Sequence, residues 1–87
     1  MRIRHILLKE KYQAEDVLRL LKAGGDFAEL AKKWSQCPSA RDGGDLGEIQ
    51  GKKLDEDFSA AAEALPMGGV SGVVRTRFGY HLIRRDS

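Results

Sequence analysis

The last apolar stretch of the chain, Phe78-Gly79-Tyr80-His81-Leu82-Ile83-Arg84, alternates in the manner of a strand. Period 2 puts Phe78, Tyr80 and Leu82 on one face, and Gly79, His81 and Ile83 on the other. A counterpart stands at the opposite end. Ile3-Arg4-His5-Ile6-Leu7-Leu8 carries the only other His, and it too is followed by two aliphatic residues. A lone His in a strand is usually structural. Two at matching points of two apolar strands point to a shared site, because the imidazoles meet on one face if the strands are neighbours. Gly79 adds to this reading, since a glycine inside a strand often marks a close approach by another chain or a ligand.

Between these strands the pattern is mostly helical. Residues 11–23 place Ala14, Val17, Leu18 and Leu21 on one stripe, and Gly24-Gly25 ends that helix. Asp26 opens a second helix, with Glu29 three residues on as in a capping box. Its stripe is Phe27, Leu30, Ala31 and Trp34, with Trp34 expected in the core. Pro38 stops it, having no N–H and disfavouring the α conformation at Cys37. Asp55 caps a further helix with the stripe Phe58, Ala61, Ala62 and Leu65, closed by Pro66 and Gly68-Gly69. Leu54 and Phe58 lie close together at its start, where they either pack as core or line a pocket. Val70 to Val74 reads as a short strand, and Arg75-Thr76-Arg77 as the turn into the final one. Short β-β connections imply antiparallel pairing, and helices separated from a small sheet give an α+β domain.

The segment Cys37-Pro38-Ser39-Ala40-Arg41-Asp42-Gly43-Gly44-Asp45-Leu46-Gly47-Glu48 begins at the only thiol and ends in a short strand, Leu46 to Ile49. Its glycines do not make a phosphate cradle, which needs G-x-x-x-x-G-K-[ST] before a helix; Gly51-Lys52-Lys53 fails that pattern. They read as a tight turn, with Gly43 and Gly44 at positive φ and Asp42 and Asp45 bonding local backbone.

Composition narrows the function. Eighty-seven residues make one domain, 1–87, with a modest core. No run of ~18 apolar residues is present to span a membrane, and the first residues do not resemble a signal peptide. One Cys excludes an internal disulfide and fits a reducing cytoplasm. A net charge of +2, with acids and bases mixed throughout, does not suggest a nucleic-acid partner.

Four segments together resemble the parvulin-type peptidyl-prolyl cis/trans isomerases: His5-Ile6-Leu7-Leu8-Lys9, Asp26-Phe27-Ala28-Glu29-Leu30-Ala31-Lys32-Lys33-Trp34-Ser35, Gly43-Gly44-Asp45-Leu46-Gly47-Glu48 and Phe78-Gly79-Tyr80-His81-Leu82-Ile83. The likeness runs the whole length and looks like a minimal, single-domain member. It implies a four-stranded antiparallel sheet surrounded by about four helices, in the order β-α3-β-α-β2. It also implies rotation of X–Pro bonds in proline-containing segments of client proteins, by a monomer that needs no metal or cofactor. By position, His5 and His81 match the family's paired histidines and Cys37 its thiol. Leu54 and Phe58 match the floor of the proline pocket, and Thr76 and Phe78 its polar and aromatic rim. Leu54 departs from the usual Met, a swap that nearly conserves volume.

The chemistry constrains the roles. Rotation needs no covalent step, so Cys37 is not expected to act as a nucleophile. Two readings stay open for it: a polar group beside the rotating carbonyl, or a small pocket wall. His5 and His81 are expected to hydrogen-bond as neutral imidazoles. Zinc on His5, Cys37 and His81 fits by ligand type, but short ligand spacing is lacking. A basic loop after the first strand confers phosphate preference in some parvulins. Here it is only Lys9, Glu10 and Lys11, so a general X–Pro isomerase is expected. Arg75 and Arg77 either favour acidic neighbours of the proline or are solvated turn charges. The rival function is a parvulin-shaped module that binds peptides without turning them over. Retention of His5, Cys37, Phe58, Thr76, Phe78 and His81 together counts against it.

Overall fold

The computed structural model describes residues 1–49 and 55–87. The elements run β1 (Arg2–Leu8), α1 (Lys11–Lys22), α2 (Phe27–Trp34), a 3-10 helix (Pro38–Asp42), β2 (Asp45–Glu48), α3 (Glu56–Glu63), β3 (Val74–Thr76) and β4 (Gly79–Arg85). The strands form one antiparallel sheet in the order β2-β1-β4-β3. The two His-bearing strands are therefore hydrogen-bonded neighbours at its centre. Leu54, expected in the pocket floor, lies outside the described residues.

The sheet is apolar on both faces, and its alternation sorts them. Ile6 and Leu8 of β1 and Leu82 of β4 face α1 and α2, where Ala14, Val17, Phe27 and Ala31 close over them. Ile3 and Ile83 face the other way, against Phe58 and Ala62 of α3. Ile3, Ile6, Leu8, Leu82 and Ile83 are fully buried. Each stabilises the fold by roughly 1.5–3 kcal/mol relative to exposure, so the central strand pair is the rigid floor of both layers.

Several local expectations need correction. Trp34 is 43 % exposed. It closes the last turn of α2, and the helix ends there, at a Ser35 cap, three residues before Pro38. Pro38 instead starts the 3-10 helix, where its missing N–H costs nothing. Val70 makes only an isolated bridge to Arg84, and the strand proper is Val74–Thr76. Arg75 and Thr76 thus belong to a strand, and the turn is Arg77-Phe78. Phe78 lies outside β4 and is 60 % exposed. The link between β1 and α1 is two residues, Lys9 and Glu10, and the Glu10 N–H donates to Gln13 Oε1 to cap the helix.

Two glycines fix how closely the site is built. A Cβ on Gly44 (φ 82°) would stand 2.3 Å from the His5 carbonyl oxygen, and one on Gly79 (φ 139°) would stand 2.6 Å from that of Leu8. No other residue permits these approaches of backbone to β1.

Candidate active site

His5 and His81 project from the face that carries α3. They are not directly opposite: His5 pairs with Ile83, and Leu7 pairs with His81, so the imidazoles meet on a diagonal. The rings stack with centroids 5.3 Å apart, and their Nδ1 atoms are 3.1 Å apart. At that distance one nitrogen carries the hydrogen and the other accepts it. His81 Nε2 lies 2.7 Å from Thr76 Oγ1, which also accepts the Phe78 N–H at 3.1 Å.

Counting partners gives the chain a direction. If Thr76 O–H donates to His81 Nε2 and His81 Nδ1–H donates to His5 Nδ1, only His5 Nε2–H is left over. His5 Nε2 is indeed buried without a partner among the described residues. The reverse direction would strand both that nitrogen and the Thr76 hydroxyl hydrogen, and buried polar groups avoid this. Burial pushes the His5 pKa down to about 4, helped by His81 beside it. Burial also lowers the pKa of His81, partly opposed by the Asp55 carboxylate. Both imidazoles are consequently neutral at pH 7.

Above the pair opens a cavity of about 170 Å³, lined by His5, Cys37, Leu46, Asp55, Phe58, Phe78 and His81. Phe58 is buried and stands edge-on to both imidazoles. It is held in the first turn of α3, where Asp55 Oδ1 accepts the N–H groups of Asp57 and Phe58. Phe78 forms the mouth, with the Arg77 guanidinium 4.9 Å over its ring. Cys37 is a half-buried wall.

His5, His81, Cys37, Phe58 and Phe78 are therefore brought together as expected. Thr76 is not at the rim: it is buried behind His81 and holds it. Leu46 and Asp55 are additions. Asp55 is legible in the sequence only as a helix cap, and Leu46 only as part of a Gly-rich turn. The larger cleft, about 480 Å³, opens on the opposite sheet face, lined by Leu18, Leu21 and Phe27 among others, with Lys22 and Arg84 its charged residues. It contains neither His nor Cys.

The profile of the family called Rotamase, a PPIC-type PPIase domain, matches residues 5–87. The chain belongs to this parvulin family of peptidyl-prolyl isomerases. It is 45 % identical over 86 residues to the foldase protein PrsA of Bacillus subtilis, covering 98 % of this chain and 30 % of that protein. The crystal structure of PrsA from Bacillus subtilis superposes with a TM-score of 0.94 at 44 % identity, covering all of this chain and 34 % of that one. The solution structure of NmPin, the parvulin of Nitrosopumilus maritimus, superposes at 0.87 with 34 % identity, covering 100 % of this chain and 95 % of that one. The chain thus spans about a third of the curated foldases it matches and nearly all of a small parvulin.

Proposed function

We propose that this parvulin domain speeds rotation about X–Pro bonds in client polypeptides, with the pyrrolidine ring seated between Phe58, Leu46 and Phe78. The observation that carries this reading is the neutral, stacked His5–His81 pair forming the floor of a cavity whose other walls include the apolar Leu46, Phe58 and Phe78. At about 170 Å³ the cavity suits one small ring, below the ~300–1,000 Å³ of pockets for larger ligands.

Rotation must cross a barrier of ~18–20 kcal/mol that amide resonance imposes. The planar amide is the more charge-separated form, so apolar surroundings with uncharged imidazoles disfavour it relative to the twisted state. The His5–His81–Thr76 chain keeps the floor neutral and fixed. Cys37 borders the rotating group as a wall. Roles for these described residues follow from this seating; Leu54, which matches the pocket floor by resemblance, lies outside the described residues.

Clients are general X–Pro segments without a phosphate preference. With only Lys9 and Glu10 between β1 and α1, and Glu10 engaged in the helix cap, that loop offers no basic fork. The foldase relative supports folding clients as substrates. The cavity is complete within a single chain and needs no second copy, so we read the domain as a monomer, and we place it in the cytoplasm, where its one Cys stays reduced.

The test is cis/trans exchange of a short X–Ala-Pro-Phe-type peptide followed by NMR with wild type, Phe58→Ala and His81→Ala. The expected result is acceleration by wild type and a clear loss in both variants while the fold persists. Peptide shifts that map to the cavity without acceleration would make the domain a binding module instead.

A further inference from the structure

We infer that Ser35 is a positioning residue for the isomerase site, setting the place of Cys37 against the strand that carries His5. The outer edge of β1 has two different partners along its length. β2 covers it at Arg2 and Arg4, and the Gly44 carbonyl accepts the His5 N–H at 3.0 Å. Beyond His5 no strand covers that edge among the described residues. Leu7 would be left with a free N–H and C=O on the residue directly opposite His81.

Ser35 and Gln36 take that place. Ser35 Oγ accepts the Leu7 N–H at 3.0 Å, and the Gln36 N–H donates to the Leu7 carbonyl at 2.7 Å. The same hydroxyl oxygen lies 3.4 Å from the Cys37 N–H, which donates to it. Ser35 also ends α2, with extended backbone at its cap. Ser35 therefore ends a helix through its backbone, while its side chain substitutes for a strand carbonyl and ties down the backbone of a cavity wall. Removing the hydroxyl frees the Leu7 N–H and loosens the Ser35–Cys37 segment on the edge of β1. The bonded floor of His5 and His81 is untouched.

This rests on the cavity being the prolyl site. The experiment compares wild type with Ser35→Thr and Ser35→Val, side chains of nearly equal shape that differ in the hydroxyl, with Phe58→Ala in parallel. Peptide exchange by NMR gives kcat and KM, and the Leu7 and Cys37 amides report the local geometry. Ser35→Thr is expected within ~2-fold of wild type. Ser35→Val is expected to lose ~10-fold in kcat with little change in KM, because small misplacements near a reacting group are costly. It should also speed Leu7 amide exchange and shift the Cys37 resonances. Unchanged kcat in folded Ser35→Val would overturn the inference and leave Ser35 as a helix stop. If Ser35→Val does not fold, Ser35→Ala takes its place: a loss in kcat with little change in KM supports the inference, and wild-type kcat in the folded variant overturns it. Full rate in Phe58→Ala would instead mean that the cavity is not the prolyl site.

Discussion

Phe58 meets the His81 imidazole edge-on, with ring centroids 5.1 Å apart and planes at 78°. It meets His5 the same way, at 5.5 Å and 83°. The pocket floor and the histidine pair are therefore one packed unit, and neither can be altered alone.

Phe58→Ala should consequently lose both stability and rate. Truncating a buried Phe costs about 3–5 kcal/mol, the lost transfer energy plus an unfilled cavity. Phe58→Leu should cost less and keep the pocket apolar, with an intermediate rate. Chemical denaturation alongside peptide exchange by NMR checks the ranking; a destabilised Phe58→Ala with full activity would break the link between packing and function.

Acid should weaken the fold through His5. The unfolded imidazole titrates near 6.5, while the folded one is held down to about 4. Above pH 6.5 both states are neutral and stability is complete. As pH falls from 6.5 towards 4 the unfolded state takes the proton first, so stability drops by up to about 3 kcal/mol and levels below 4. Denaturation midpoints across that window test it, with His5→Asn expected to flatten the profile there.

Thr76→Val keeps shape and removes the hydroxyl that joins His81 Nε2 to the Phe78 N–H. A buried partner and a part-buried one are orphaned at once, so about 1–3 kcal/mol should be lost. Imidazole ¹⁵N shifts add a sharper reading. Wild type should show His81 protonated at Nδ1 and His5 at Nε2, and the variant should lose that order.

Gly79→Ala should strain the β3–β4 turn. The positive φ alone costs of order 1–3 kcal/mol in a residue with a side chain, and the new Cβ would press on the Leu8 carbonyl. A denaturation midpoint near wild type would show that β4 can shift away from β1.

Much of this was open to reading in the sequence, and for a physical reason. The His pair could be foreseen because each His lies in a short apolar strand whose alternation fixes its face. The helices followed from their stripes and from the Asp26 and Asp55 caps. Trp34 misled because helical spacing places a residue on a stripe without saying how far the sheet beneath it extends. Phe78 misled similarly: its alternation with Tyr80 and Leu82 is that of β4, but the strand begins one residue later. Thr76 could be assigned to the site by resemblance, yet its place behind His81 depends on β3 pairing, which a three-residue strand hardly announces. Ser35 stands in a segment that carries the resemblance, but nothing there marks its role, which depends on where β2 stops covering β1.

The pairing of β1 with β4 has a consequence in time. His5 and His81 are 76 residues apart in an 87-residue chain. During synthesis the first histidine waits while 76 further residues are added before its mate appears. Until then the central ladder is missing, and Ile3, Ile6 and Leu8 have no β4 to cover them. Closing so long a loop costs entropy that only the finished ladder returns. A nascent or truncated chain lacking the last strand therefore has neither the central ladder nor His81, and the site exists only once the whole domain has folded.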